Sequence, residues 1–152
     1  MLEIERKFLV DKNKWSPSGK GIAIKQGYIS DDPERTVRVR IAGEKSFLTI
    51  KGKSIGISRT ELEYEIPLED AELLMKMVLN ETVQKTRYKE FVKGHDWEID
   101  VFDGQNKGLV MAEIELESES QNFDIPEWVE KEVSGDKRYF NLWLSQKPYD
   151  TW

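Results

Sequence analysis

Hydrophobic and polar residues alternate along most of this 152-residue chain, and the alternation breaks repeatedly at glycine, proline or aspartate. A period of two places successive side chains on opposite faces of a β-strand, so each alternating segment predicts a strand. Short turns separate the segments, as at Asp31-Asp32-Pro33 and Lys93-Gly94, which favours antiparallel neighbours. The pattern predicts eight strands, over residues 2–10, 22–30, 35–41, 46–51, 57–66, 82–92, 96–102 and 110–119.

The period lengthens to three or four residues in two places, which is typical of an amphipathic helix. The first place follows Pro67 and predicts a helix over residues 68–79. The second follows Asp136, a favourable N-cap residue, and predicts a helix over residues 137–146 that Pro148 ends. A short helix is also expected to begin within residues 125–128. The predicted fold class is therefore α+β, an antiparallel sheet partly covered by a few helices, at a length that suits one domain.

Charge is the unusual property of the composition. Charged residues make up 34% of the chain, and the formal net charge is −6; an average domain is about 25% charged. A net acidic chain is a poor candidate for non-specific nucleic-acid binding, because such binding depends on Lys and Arg contacts to phosphate. The absence of cysteine excludes disulfides and thiolate metal sites. No apolar run reaches the length of about 18 residues that could span a membrane, so we expect a cytoplasmic protein without a membrane partner.

Same-face positions of the predicted strands carry charges that are mostly of one sign. The acidic rows are Glu3 with Glu5, Glu61 with Glu63 and Glu65, Glu98 with Asp100, and Glu113 with Glu115 and Glu117. The basic rows are Arg38 with Arg40, and Lys85 with Arg87 and Lys89. A single row of this kind fits an ordinary antiparallel sheet with one face in water. The full set favours another interpretation, because neighbouring like charges repel unless counter-ions lie nearby.

A complex of a metal ion with a polyphosphate would neutralise both kinds of row. Hard divalent cations such as Mg²⁺ prefer carboxylate and phosphate oxygens, while arginine and lysine suit phosphate oxygens. If the sheet closes on itself, the charged rows line its interior, where the lower number of waters strengthens each contact. The charge pattern is therefore chemically sensible inside a barrel, although alternation alone does not show that the sheet closes.

The opening segment Glu3-Ile4-Glu5-Arg6-Lys7 matches the Glu-x-Glu-x-Lys signature of the CYTH family, also called the triphosphate tunnel metalloenzymes. Further matching segments follow in the family's order and extend the resemblance to about Tyr139. They are Gln26-Gly27-Tyr28, Val37-Arg38-Val39-Arg40, Leu48-Thr49-Ile50-Lys51, Ser58-Arg59-Thr60-Glu61-Leu62-Glu63, Lys85-Thr86-Arg87-Tyr88, Glu98-Ile99-Asp100 and Glu113-Ile114-Glu115. The chain therefore resembles the short bacterial members of this family.

The resemblance implies an eight-stranded antiparallel closed β-barrel, open at both ends, formed by one CYTH-like domain over residues 1–152. It also implies a substrate with a triphosphate group and dependence on Mg²⁺ or Mn²⁺. The metal ligands it implies are Glu3, Glu5, Glu113 and Glu115, with Glu61, Glu63 and Asp100 completing the acidic side. The phosphate-binding residues it implies are Lys7, Arg38, Arg40, Lys51, Lys85 and Arg87. Members of the family often pair, so a homodimer is compatible with the resemblance.

The mechanism expected from this resemblance is attack of a water molecule on the terminal phosphorus. Basic residues hold the chain in line, and a carboxylate or a second metal ion positions the water. Phosphoryl transfer of this kind requires no covalent nucleophile. The predicted catalytic residues are Glu5, Glu63, Lys85 and Tyr28. Tyr28 matches a family tyrosine, which either hydrogen-bonds substrate or water or supports the structure.

Three functions follow from the resemblance. The first is an inorganic triphosphatase that converts tripolyphosphate to pyrophosphate and phosphate. The second is an enzyme of organic triphosphates, which means a nucleoside or thiamine triphosphatase or a small bacterial adenylate cyclase. The third is a non-catalytic protein that binds polyphosphate or a nucleotide. The sequence shows no clear feature of the adenine pocket that a cyclase needs.

Overall fold

The computed structural model describes every residue from Met1 to Trp152, in nine strands and two α-helices. The strands are β1 (Leu2–Val10), β2 (Ile22–Ser30), β3 (Arg35–Ala42), β4 (Lys45–Gly52), β5 (Ser58–Ile66), β6 (Val83–Val92), β7 (His95–Phe102), β8 (Val110–Glu115) and β9 (Val129–Glu132). The helices are α1 (Leu68–Met75) and α2 (Asn141–Gln146), and 3₁₀ turns cover Gly104–Asn106, Lys137–Tyr139 and Tyr149–Thr151. The α+β class and the eight predicted strands are confirmed. None of the helices is long and apolar enough to cross a membrane.

Eight of the strands form a closed antiparallel ring in the order β5-β4-β3-β2-β6-β7-β8-β1. The ring closes where β1 pairs with β5, and this seam joins Leu2 to Thr60, Glu3 to Arg59 and Ile4 to Ser58. The second half of β1 pairs instead with β9, at Phe8 with Glu132 and Val10 with Val129. The predicted eight-stranded closed barrel is therefore confirmed, with β9 as a short addition outside the ring.

The larger hydrophobic core lies on the outer face of the barrel. It contains nine buried residues from β1, β7, β8 and the residue that follows β8, namely Ile4, Phe8, Val10, Trp97, Ile99, Val110, Ala112, Ile114 and Leu116. Loop and tail residues cover it, including Trp15, Phe123 and Trp128. The ring of Trp97 packs against Phe123 at 5.7 Å and against Trp128 at 5.5 Å. Because alternate residues of a strand face opposite ways, this outward core leaves the charged rows to face inward.

A second hydrophobic cluster closes part of one end of the barrel. Val83, Phe102 and Met111 lie two positions from Lys85, Asp100 and Glu113 on β6, β7 and β8, and therefore share their inner face. These apolar residues pack with the fully buried Leu144 of α2 and with the buried Val133. The C-terminal segment therefore packs against the barrel interior at this end.

Two predicted elements end earlier in the structure, and one predicted helix is absent. The helix α1 ends at Met75 rather than at residue 79, and the Leu79 N–H donates to the carbonyl of Tyr28 at 2.8 Å. The strand β8 ends at Glu115 rather than at residue 119, since the chain turns between Ser118 and Gln121. No helix begins within residues 125–128, where the Trp128 carbonyl accepts from Asp11 N–H at 2.8 Å and the chain continues into β9.

The helix predicted over residues 137–146 is divided in two. The Asp136 side chain accepts a hydrogen bond from the Arg138 N–H at 3.1 Å, so the predicted cap is present, but it begins a 3₁₀ turn. Phe140 then takes an extended conformation before α2 begins. The centroid of its ring lies 5.2 Å from Nζ of Lys7, so the residue between the two helical turns contacts a cavity residue of β1.

Candidate active site

The barrel encloses a cavity of ≈ 1040 Å³ whose wall carries most of the residues predicted to act on substrate. Only Lys85 and Asp100 of the fourteen predicted residues do not line it. The twelve that do are Glu3, Glu5, Lys7, Tyr28, Arg38, Arg40, Lys51, Glu61, Glu63, Arg87, Glu113 and Glu115. The lining extends from Ala42 and Lys45 at one end to Pro33 and Trp143 at the other, so the cavity runs along the barrel interior.

The strand register brings these side chains together. Glu5 of β1 lies directly across from Glu115 of β8, and Lys7 lies across from Glu113. On the other side of the seam, Lys51 of β4 lies across from Glu61 of β5. Directly opposed residues of antiparallel strands have side chains about 5 Å apart. The register therefore concentrates carboxylates on β1, β5 and β8.

Carboxylates outnumber the cations on this acidic wall. Nζ of Lys51 lies 2.9 Å from Glu3 and 3.2 Å from Glu61, so it partly neutralises both. Nζ of Lys7 lies 3.6 Å from Glu113 but 3.8 Å from Glu5. Burial and the neighbouring Glu113 raise the pKa of Glu5 to about 7. These contacts leave the charge of Glu5 largely uncompensated.

The pKa values of the other carboxyl groups on this wall, Glu3, Glu113 and Glu115, do not all shift in the same direction. Burial raises the pKa of Glu115 above its ordinary value, and the nearby Glu3 and Glu98 raise it further. Burial and a hydrogen bond with Glu61 raise the pKa of Glu3 despite the contact with Lys51. Burial opposes ionisation of Glu113 as well, but Lys7 and Arg87 lower its pKa to about 2. Glu113 is therefore the well-compensated carboxylate of the group.

The basic wall lies on β3 and β6. Nη2 of Arg38 lies 3.7 Å from Glu63 and donates to Oγ1 of Thr49 at 3.2 Å, and that hydroxyl donates to Glu63 at 2.9 Å. Nε of Arg40 donates to Oε1 of Gln26 at 2.8 Å. Burial, followed by the charges of Arg38 and Arg87, lowers the pKa of Arg40 to about 9. A cluster of guanidinium groups that repel one another is a suitable site for a polyanion.

Lys85 and Asp100 form a layer of the wall that is not exposed to the cavity. Nζ of Lys85 lies 2.8 Å from Asp100, and Arg87 donates to both carboxylate oxygens of Asp100, at 2.7 and 2.8 Å. Nζ of Lys85 also donates to Oδ1 of Asn141 in α2 at 3.2 Å. Burial lowers the pKa of Lys85 to about 7. Burial would raise the pKa of Asp100, but Lys85 and Arg87 hold it well below its ordinary value.

The acidic wall fits a hard cation in its chemistry rather than as a ready-made cage. No group of three or more carboxylates converges closely enough to hold a metal ion by itself. Glu5 and Glu115 face each other across β1 and β8, and their pKa values are raised. All the donors are carboxylate oxygens, a type of ligand that suits hard divalent cations such as Mg²⁺ or Mn²⁺.

Several cavity residues were not in the predicted set. Lys89 and Glu98 line the cavity and lie opposite each other in the register, and the charged rows already contained both. Arg59 also lines the cavity and donates to the Gly52 carbonyl at 2.9 and 3.1 Å. Its place beside Glu3 in the seam could have been found only by knowing that the sheet closes.

The structure is a closed antiparallel barrel. Carboxylates lie on one inner wall, and guanidinium and ammonium groups lie on the other. This arrangement is typical of a class of protein that binds a polyanion together with cations. The chain belongs to the CYTH family, since the CYTH domain matches residues 1–140. The resemblance seen in the sequence is therefore confirmed. Triphosphatases of this family generally depend on a metal ion.

Relatives of similar length support this assignment. The inorganic triphosphatase of Acetivibrio thermocellus is 47% identical over 148 residues, which cover 97% of this chain and 95% of the relative. The inorganic triphosphatase of Nitrosomonas europaea is 37% identical over 151 residues, which cover 95% of this chain and 97% of the relative. The crystal structure of the inorganic triphosphatase NE1496 superposes with a TM-score of 0.67 at 35% identity, over 94% of this chain and 93% of that one.

Proposed function

We propose that this protein is a metal-dependent inorganic triphosphatase that hydrolyses tripolyphosphate to pyrophosphate and phosphate. The observation that carries the proposal is the pair of uncompensated charges in one cavity. Arg40 has no carboxylate partner, and Glu5 has only a distant contact with Lys7. A metal–triphosphate complex would neutralise both groups at once. The two relatives named inorganic triphosphatase, each matched over almost its whole length, support the same substrate.

Glu5 and Glu115 would hold the metal ion, with Glu3 and Glu113 adjoining them on the same wall. A bound Mg²⁺ or Mn²⁺ supplies positive charge to the phosphoryl oxygens as negative charge develops on them. Glu61 and Glu63 are engaged by Lys51 and Arg38, respectively, so they set the positions of these two cations.

The basic wall would bind and orient the phosphate chain. Lys7, Arg38, Arg40, Lys51 and Arg87 all line the cavity and donate only. Phosphoryl transfer depends mainly on positioning and on stabilising charge, so these residues would supply much of the catalysis. Glu63 would orient the attacking water, because its carboxylate is accessible from the cavity.

Lys85, Asp100 and Tyr28 have more indirect positions. Asp100 would act as a positioning residue, because its two oxygens fix the guanidinium of Arg87. Lys85 would reach substrate only after leaving Asp100 and Asn141. Tyr28 lies across from Arg38 on β2 and lines the cavity, so its hydroxyl would donate to substrate or water there.

The substrate can be tested with purified protein and a panel of tripolyphosphate, ATP, thiamine triphosphate and pyrophosphate, each with Mg²⁺ or Mn²⁺. We expect phosphate release chiefly from tripolyphosphate, and only when a divalent ion is present. Preferential hydrolysis of an organic triphosphate, or formation of cyclic AMP, would show instead that the protein is an enzyme of organic triphosphates. Binding without turnover under every condition would make it a polyphosphate-binding protein.

The metal wall can be tested by Glu5→Gln and Glu115→Gln, which keep side-chain size and remove charge. We expect each variant to lose turnover of tripolyphosphate while keeping the wild-type circular dichroism spectrum. The matched control is Glu117→Gln, because Glu117 is exposed and lies beyond the end of β8. Wild-type rates in both cavity variants would remove these residues from the site.

The cytoplasmic location, the homodimer and the treatment of residues 1–152 as one domain remain predictions made from the sequence and the resemblance.

A further inference from the structure

The group that holds Arg40 is of a different kind from the groups that hold the other cations predicted to bind phosphate. Lys7, Arg38, Lys51, Lys85 and Arg87 each have at least one carboxylate within 4.0 Å. Arg40 instead donates from Nε to an amide oxygen, Oε1 of Gln26, at 2.8 Å. Gln26 lies directly across from Arg40 on β2 and is fully buried.

An amide holds an arginine without neutralising it. A carboxylate in the same place would fix the guanidinium equally well, but it would offset its charge and compete with an incoming anion. A neutral acceptor on Nε leaves both terminal nitrogens of the fork available for phosphate oxygens. Keeping an uncompensated cation in a partly buried position is costly for folding, and a bound anion would offset that cost.

Two hydrogen-bond donors without partners, one in this pair and one on the neighbouring arginine, are compatible with an anionic ligand. Nε2 of Gln26 is buried and has no hydrogen-bond partner within the chain, and neither has Nε of Arg38. Arg38 lies two residues from Arg40 on the inner face of β3, and both line the cavity. Buried donors without partners are rare in native structures. A phosphate oxygen, or a water molecule held by one, would satisfy Nε of Arg38, whose residue lines the cavity.

The position of the pair indicates which part of the substrate it meets. The carboxylates Glu5 and Glu115 lie on β1 and β8, whereas Arg40 lies on β3, separated from β1 by β5 and β4 in the ring. The barrel interior therefore has a metal-binding side and a side on which positive charge is uncompensated.

We propose that Gln26 is a positioning residue that holds Arg40 as an uncompensated cation, and that Arg40 binds the phosphate oxygens that the metal ion does not coordinate. The inference rests on the proposed function, because it places a triphosphate in this cavity. It adds a role for Gln26, a residue outside the cavity lining, and it explains why an amide stands where an ion-pair partner would be stronger.

The decisive variant is Gln26→Glu, which changes one NH₂ group to an oxygen and brings a negative charge to Arg40. Affinity is measured by calorimetry with the non-hydrolysable imido analogue of tripolyphosphate and Mg²⁺, and KM and kcat are measured with tripolyphosphate. Thermal unfolding without ligand is the third measurement. The matched control is Gln84→Glu, which adds the same charge at an exposed position on β6.

We expect Gln26→Glu to weaken binding of the analogue by about tenfold or more, the loss of one charge-assisted hydrogen bond, and to raise KM more than it changes kcat. The unfolding midpoint should be unchanged or higher, because the new carboxylate pairs with Arg40. A purely structural role for Gln26 predicts the opposite combination, with a lower unfolding midpoint and unchanged affinity. Gln84→Glu should bind as the wild type does.

The outcomes separate this inference from the proposed function. Equal affinity of the wild type and Gln26→Glu for the analogue overturns the inference, whatever the rate of hydrolysis. A wild type that binds the analogue but hydrolyses no tripolyphosphate contradicts the proposed function, and weaker binding by Gln26→Glu would still support the inference. A wild type that neither binds nor hydrolyses overturns both.

Discussion

Asp100 shows how one buried carboxylate organises the basic wall. It accepts from Lys85 and from two nitrogens of Arg87, and its side chain is only 1% exposed. Without it, two adjacent cations would repel each other in a place with little water. Asp100 therefore serves the fold and the site together, because the same contacts that satisfy its charge aim Arg87 at the cavity.

The Asp100→Asn variant should be strongly destabilised. Removing one partner of a buried ion pair costs about 3–5 kcal/mol, because the remaining charge stays buried. In a domain of this size the unfolding midpoint should fall by roughly 10 °C, as measured by calorimetry. The matched control is Glu98→Gln, since Glu98 also contacts Arg87, at 3.3 Å, but its side chain is 38% exposed. Equal midpoints for the two variants would contradict the structural role of Asp100.

Alternation in the sequence predicts which face a residue occupies but not how deep it lies. Lys85 and Lys89 both have the inward phase on β6, yet Lys85 is buried against Asp100 and Asn141, whereas Lys89 lines the cavity. Asn141 comes from a helix more than fifty residues away in the chain, so no local pattern reveals the contact. The acidic and basic rows were therefore predictable, and the division between lining and supporting residues was not.

The segment between β8 and β9 stabilises the barrel although it has no regular secondary structure. Phe123 packs against Phe8 at 6.3 Å and Trp97 at 5.7 Å, and the guanidinium of Arg6 lies 5.1 Å from its ring. Arg6 also pairs with Glu132 of β9. The segment thus covers the outer core and joins β1 to the C-terminal part of the chain.

Phe123→Ala should lower stability by about 3 kcal/mol, since it removes an aromatic ring from the cover of the core. The measurement is chemical denaturation at fixed temperature. Phe91→Ala is the control, because Phe91 is 72% exposed and its loss should change stability by less than about 0.5 kcal/mol. A cost for Phe123→Ala as small as that of the control would mean that the segment is not part of the folded core.

The sequence predicted well those strands whose ends are marked by their own residues and by the turn residues next to them. The ends of β1 and β2 agree with the predicted ranges, because Asp11 follows β1 and the turn residues Gly21 and Asp31-Asp32-Pro33 border β2. The strand β9 was missed because its four residues, Val129 to Glu132, have little pattern of their own and become a strand by pairing with β1. Tertiary pairing therefore determines the short elements, while side-chain periodicity determines the long ones.

The whole molecule is a barrel with its larger hydrophobic core outside and its charges inside. Burial, together with the repulsion between like charges within each wall, raises the pKa of Glu5 and lowers that of Arg40. The repulsion within each wall lowers the stability of the folded state. Ion pairs between oppositely charged groups, such as Lys51 with Glu3, offset part of this loss. Ligands of opposite charge should therefore stabilise the fold by different routes.

A divalent ion and a triphosphate should stabilise the protein by more than the sum of their separate effects. Each ligand neutralises one wall, and each attracts the other across the cavity, so binding of one increases the affinity for the second. The unfolding midpoint is measured without ligand, with Mg²⁺, with the imido analogue of tripolyphosphate, and with both. We expect only a small shift from either ligand alone and a clearly larger shift from the two together, with the excess reduced in Glu5→Gln because the metal wall has lost a charge. Purely additive shifts in the wild type would mean that the two walls act as independent sites, which would remove the reason for enclosing them in one barrel.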